Sequence, residues 1–423
     1  MKKTNYGHTD KLFKAKFFHR FANNKKALLW SAILSLVLII ISYFYNNLPL
    51  FTGENLVELA ASEWLKVAFG KNYDDIQDSV LLINVAYDRQ LTGAYISQED
   101  KIADKDSTQT IGTTDITDRD KLYKLLSALE GKNYKYIFLD IAFYNNLAPT
   151  PYDEKLFKLI ERMDRIVVAY DRRNAMEHGL ADSVNLWPKV GCINYKSTIT
   201  ETNFKRLRLI QGSMASMPLK VYQKLDGKDV IRHGIIYTSD GHLCNNSIFV
   251  EFPFEIEGNN PIDYYKHHSR YLGHYEVDNQ EAVAQDCDNR YVVIGDLDND
   301  LHDTYAGMQP GPILMYKAYK HLKEGHHIVS LLYAFYFFIL YFIIAFFIIK
   351  EINILYEIPF VKKSKSDLLR FIVDMTGYGL ILFLVAVCIH FFFSRSISIL
   401  LPTTYFSIMK LIVHYKHQKA NKL

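Results

Sequence analysis

Apolar positions along this chain fall into two size classes, a few long uncharged runs near the ends and many short ones between them. Ala27 to Tyr45 (ALLWSAILSLVLIIISYFY) carries no charge over nineteen residues, and as a helix it would reach roughly 28 Å, the depth of a bilayer's hydrocarbon. The residues that close it, Ser42 to Asn47, are bulky where a cleavage site needs small side chains, so the run predicts a retained anchor rather than a removed leader. Three further runs cover 328–349, 371–394 with Asp374 inside, and 396–413 with Pro402 and Lys410. Lys410 lies close enough to the end of its run to reach an interface along its own stem. One span is therefore expected before, and three after, a large middle segment at 46–327.

Inside that segment the runs are of strand length. Val80 to Tyr87 (VLLINVAY), Tyr136 to Phe143 (YIFLDIAF) and Arg165 to Tyr170 (RIVVAY) are nearly continuous apolar stretches, the mark of strands covered on both faces. Helical periodicity separates them: Leu122, Leu125, Leu126 and Leu129 after a capping-box-like Thr117 and Asp120, then Leu156, Leu159, Ile160 and Met163 after Thr150 and Pro151. A helix is also predicted at 54–69, and the polar stretch 88–114 reads as loop. Beyond 190 the pattern predicts strands near 192–195, 230–237 and 247–254, a helix near 217–225, a strand at 291–294 and a helix between Pro312 and Gly325. The expected fold class is α/β, a mixed and partly parallel sheet with flanking helices, joined to an α-helical membrane part.

Charge then orients the chain. Lys2, Lys3, Lys11, Lys14, Lys16, Arg20, Lys25 and Lys26 precede the first run against Asp10 alone, and loop 350–370 holds five basic residues against three acids. Short cytoplasmic segments carry such an excess. Tail 1–26, loop 350–370 and tail 414–423 are thus expected inside, and 46–327, with 31 basic and 41 acidic side chains, outside. The expected location is a plasma (inner) membrane, with the lipid bilayer as a partner. Nucleic acid is not expected as a partner, given the net −10 of that domain and its expected side of the membrane. Four cysteines, at 192, 244, 287 and 388, offer no CxxC pair; Cys192, Cys244 and Cys287 allow one disulfide in three pairings.

Several blocks in order carry a family likeness: INVAYDRQL at 83–91, DITDRDKLYKLLSAL at 115–129, YIFLDIAF at 136–143 with Asp153 after it, FKRLRL at 204–209, and YVVIGDLDNDLHDTYAG followed by PGPILMYKAYKHLKEG at 291–325. Together they resemble the second type of CHASE domain, an extracytoplasmic sensory domain of bacterial cyclases and kinases, over most of 50–327. The resemblance implies one span before the domain and three after it, and a sensory role. Relatives of that type usually continue into a cytoplasmic output domain, whereas here the sequence runs to Leu423. The expectation is therefore a receptor-like protein that signals through its helices to a separate effector protein. The alternatives are a structural or assembly subunit of an envelope complex and, behind it, a metal-dependent hydrolase.

Candidate chemistry is sparse. Asp88 and Asp140 each follow an apolar strand, where open α/β sheets bind ligands, and the resemblance implies recurrent acids there. Arg119 stands on the first turn of a helix, a poor place for a cation unless a carboxylate such as Asp88 or Asp140 holds it. Asp296, Asp298, Asp300 and Asp303 with His302 offer alternate oxygens suited to a hard cation, but the EF-hand register fails at Leu301 and Gly307. A strand-ending turn whose acids cap a helix or face water explains them as well. Lys205, Arg206 and Arg208 form a basic cluster that an exposed strand face explains as well as an anion site does. The ligand-binding candidates are thus Asp88, Arg119, Asp140, Asp296 and Asp303. No Ser-His-Asp order, phosphate loop or paired metal-His motif is present, so neither an enzyme, a cofactor nor a metal is expected.

Overall fold

The computed structural model describes residues 25–47, 61–62, 64–66, 68–69, 79–94, 112–143, 148–171, 186–194, 204, 206–252, 261–275, 280–352, 379–391 and 399–420. The chain divides into two units, one formed by the terminal helices and one by the middle segment.

In the helical unit, α1 (Lys25–Asn47) is long and apolar enough to cross a membrane. Its Leu29, Trp30, Leu36 and Ile40 are exposed. The hydroxyls of Ser31 and Ser35 donate to the carbonyls of Ala27 and Ser31 at 2.7 and 2.6 Å, so neither leaves a bare polar group on the helix.

The middle segment is built on a six-stranded sheet, all of whose pairings are parallel. Its strands in chain order are β1 (Val80–Asn84), β4 (Tyr136–Asp140), β5 (Ile166–Tyr170), β6 (Val190–Cys192), β14 (Ser269–Tyr271) and β15 (Tyr291–Gly295). In space they run β14-β1-β15-β4-β5-β6, with β15 inserted between β1 and β4. The continuous apolar runs are explained by helices on both faces. Leu81, Ile83, Ile137, Leu139, Val292 and Ile294 pack under α2 (Arg119–Leu129), α3 (Asp153–Arg162) and α6 (Gln280–Cys287). Val80, Leu82, Phe138 and Val293 pack under α4 (Met217–Leu225) and α7 (Gly311–Lys323). On that second face Phe138 meets the rings of Tyr136, Tyr291, Tyr316 and Tyr319 at 5.7–6.4 Å between centroids.

The sheet corrects the mixed reading: the antiparallel pairings form small separate sheets. They are β2 (Arg89–Ala94) with β3 (Gly112–Thr117), β7 (Arg206–Arg208) with β13 (Ser247–Phe249), β8 (Ile210–Gln211) with β9 (Met214–Ala215), the meander β10 (Val230–His233), β11 (Ile236–Ser239) and β12 (His242–Cys244), and β16 (Leu301–Thr304) with β17 (Gly307–Pro310). Part of the expected loop 88–114 instead pairs as a ribbon, Arg89 to Ala94 against Gly112 to Thr117; Leu91 lies opposite Asp115 with polar neighbours on both sides, which leaves no apolar alternation to read. The predicted strand at 230–237 is two strands turning at Gly234, whose φ of +68° suits only glycine without strain. Cys192, Cys244 and Cys287 are buried thiols, with no disulfide among the four cysteines; burial pushes the Cys244 thiol up to about 12.

The start of α2 also differs from expectation. Thr117 ends β3, and Asp118 is the cap, its carboxylate accepting from the Lys121 amide at 3.0 Å. Asp118→Ala is expected to cost about 1 kcal/mol, with Asp118→Asn retaining most of the stability. Thermal melts of the detergent-purified full chain check this; equal Tm for both variants would contradict it.

Among the described residues, further helices are α5 (Pro261–His267), α8 (Leu331–Ile349), α9 (Gly379–Phe391) and α10 (Leu400–Ala420). Of these, α8 is again long and apolar enough to cross a membrane. The described part of the 371–394 run is α9, and the 396–413 run falls mostly in α10. The predicted helix at 54–69 lies largely outside the described residues, as do Asp374, loop 350–370 beyond 352, and Lys205.

Candidate functional site

A parallel strand followed by a helix presents its carboxyl end, and the amide end of that helix, on the same edge of the sheet. After β1 and β4 the chain turns to helices on one face, and after β15 to α7 on the other. A crevice opens where those exits diverge. It is a cavity of about 380 Å3 lined by Asp140, Asp171, Asp296, Asp300, Arg89 and Arg119, with His302, Asp115, Thr117, Gly311 and Met315 completing its walls and Val85, Ile141 and Ile193 among its apolar lining.

Its floor depends on two glycines. A Cβ on Gly295, the last residue of β15, would stand 2.3 Å from Pro312 Cγ and 3.2 Å from Asp140 Cβ. A Cβ on Gly311 would stand 2.1 Å from the Asp300 carboxylate. Their bare backbones let the first turn of α7 sit on the ends of β15 and β4. The Gly311 amide donates to the Asp300 carbonyl at 2.8 Å, and the Asp300 carboxylate takes His302 Nε2 at 3.0 Å.

Asp140 ends β4 beside them. Burial, and secondarily the Asp300 carboxylate, raises its pKa well above the usual carboxylate range. Asp171 holds Asn194 Nδ2 at 2.7 Å. Asp296 accepts Arg89 on one oxygen and the amides of Asp298 and Asn299, at 3.0 and 2.8 Å, on the other.

Arg119 is buried with 4% of its surface exposed. Its guanidinium carbon lies 4.4 Å from the Phe143 ring centroid and its Nε 3.5 Å from Asp153 Oδ1. Among the described residues, neither Nε nor Nη1 completes a hydrogen bond. Desolvation lowers its pKa to about 10, which leaves it cationic at neutral pH. The expected partners, Asp88 and Asp140, are thus replaced by Asp153 at the start of α3.

Three of the five sequence candidates, Arg119, Asp140 and Asp296, share this cavity. The other two do not. Asp88 is a tie rod: its oxygens accept Lys121 Nζ at 2.8 Å and the Leu272 amide at 2.9 Å, joining α2 to the chain after β14. Asp303 is exposed on β16, where its carbonyl, not its carboxylate, accepts the Phe204 amide. The acids of the 296–303 turn do not converge either, since Asp298 faces Lys266 at 3.3 Å and Asp300 faces His302. Among the described residues they form no set of metal-binding spacing.

Sequence reasoning passed over Asp171, which follows β5 as Asp88 follows β1 and was open to the same rule. It also passed over Arg89, which no local pattern marks, and it noted Asp300 and His302 only as members of the 296–303 acid cluster rather than as cavity walls. Comparison with family models, with curated proteins and with solved structures found no match for this chain.

Proposed function

We propose that this chain is an integral membrane sensory protein whose middle domain, at 46–327, stands outside the cytoplasm, binds a small ligand in the carboxyl-end cavity and signals through its helices to an effector at the membrane. The spans are 27–45, 328–349, 371–394 and 396–413, with both termini cytoplasmic. One observation carries the reading: α7 lines the cavity with Gly311 and Met315 at its start, and from its last residue, Lys323, the chain reaches α8 by Leu331. A ligand that favours one setting of α7 therefore biases the segment leading to a membrane-length helix. The resemblance of 50–327 to the second type of CHASE domain and the basic tails agree with this.

The lining indicates the ligand's class. Asp140 and Asp300 suit a cationic group, and the Arg119 donors suit a carboxylate or another acceptor, so a small zwitterion matches both ends. Asp171 and Asp296 are already engaged by Asn194 and Arg89 and set the walls.

The test begins with sidedness. In a Cys388→Ser background, a cysteine replacing Ile235, which is 66% exposed, is expected to react with an impermeant maleimide on intact cells, while a tag on the N-terminus stays protected from added protease. Purification in mild detergent is expected to retain a membrane effector. Labelling only after the cells are broken, or a chain that never carries a partner, would refute the proposal.

A further inference from the structure

We propose that the C-terminal turn of α7 is a transition-metal site formed by His321, Glu324 and His326. Among the described residues, these are the group of His, Cys, Asp or Glu side chains whose ligand atoms all lie within 4.8 Å of one another.

The geometry follows from how the helix stops. Gly325 has φ +77°, the left-handed residue that ends a helix. The Gly325 amide donates to the Leu322 carbonyl at 2.9 Å and the His326 amide to the His321 carbonyl at 3.1 Å. This double closure folds the second residue past the cap back over the last turn, where an apolar pair normally meets. Here the pair is His326 on His321, with ring centroids 4.9 Å apart. Glu324, at the cap itself, brings its Oε2 to 3.5 Å from His326 Nε2.

The tautomer of the buried ring is also set. His321 Nδ1 lies 3.1 Å from the Phe249 carbonyl, which can only accept, so Nδ1 carries the proton and Nε2 keeps its lone pair. A backbone carbonyl behind a ligating imidazole is the usual outer support of a metal-bound histidine. Two imidazoles and one carboxylate suit zinc or a neighbouring first-row ion rather than calcium or magnesium. With metal–ligand bonds of about 2.0–2.2 Å, the set must draw in by about 1 Å. The Glu324 side chain, 42% exposed, has room to shift toward an ion, and its Oε2 already lies 3.5 Å from His326 Nε2.

Bound metal would tie the C-terminal turn of α7 to the residue that begins the connection to α8. The site shares no residue with the lining of the cavity.

The test uses the tag-free full chain in detergent, stripped with chelator and titrated with Co2+ at pH 7.5. One equivalent is expected to saturate a visible d–d band, and Zn2+ to abolish it. His326→Ala and Glu324→Gln, both at partly exposed side chains, are each expected to weaken binding about tenfold or more, while Asp303→Asn leaves it unchanged. Absence of a saturable band, or equal affinity in His326→Ala and the parent, would overturn the site and leave the three side chains as a helix-capping cluster.

Discussion

Gly295→Ala is expected to destabilise the middle domain by about 3 kcal/mol, at the upper end of what one inserted methyl costs. The reason is the nature of the obstacle. The new Cβ would lie 2.3 Å from Cγ of Pro312, a closed ring that cannot swing aside, and 3.2 Å from the Asp140 Cβ on the neighbouring strand. Relief requires α7 to lift from β15, and that helix buries Ile313, Leu314, Tyr316, Ala318, Tyr319 and Leu322 on the sheet. Because Gly311 and Met315 line the cavity, any lift reshapes it. Thermal melts of the detergent-purified full chain should show Tm falling by roughly 5–10 °C. A Tm within a degree of the parent would mean that α7 does not rest on the end of β15.

Asp140→Asn should act in the opposite direction. The folded chain raises the Asp140 pKa above its ordinary 3.8, with burial as the main cause and Asp300 as the second. From about pH 4 upward the unfolded chain has therefore released a proton that the folded chain still holds, and stability falls as pH rises through that window. Asparagine keeps the shape and cannot ionise. The variant should lose this decline and gain about 1–3 kcal/mol at neutral pH, the range for relieving a buried polar group of an unmet charge. Melting curves of both proteins from pH 4 to 8 provide the check. Parallel curves, or a variant less stable at pH 7.5, would show that Asp140 is stabilised in place as an anion. Under the proposed function, in which Asp140 lines the ligand cavity, the stabilised variant should also lose its response to ligand, the trade-off usual where a site is built at the expense of stability.

Elements that bury apolar surface on both faces were legible in the residues. Val80 to Asn84, Tyr136 to Asp140, Ile166 to Tyr170 and Tyr291 to Gly295 are strands, because only a covered strand tolerates an unbroken apolar run. The leucine stripe of α2 and the Pro312 to Gly325 frame of α7 were equally plain, since a 3.6-residue period is a local property. The exposed pieces were not. β14 buries only Ser269 of its three residues, and the β2 and β3 ribbon alternates no apolar positions, so neither carries a signal that separates strand from loop.

The composition and order of residues were enough to determine that apolar helices flank an α/β domain, and to direct attention to the acids at the carboxyl ends of its strands, where a cavity lies. Which charges face one another was decided only by the tertiary structure. Arg119 turns to Asp153 rather than to Asp88 or Asp140, and Asp88 turns to Lys121. Asp300 reaches the cavity that Asp303, three residues on, does not. The insertion of β15 between β1 and β4 likewise joins segments some two hundred residues apart. Periodicity records how each residue meets its own element, whereas partners across a crevice are chosen by long-range packing that no short window of sequence contains.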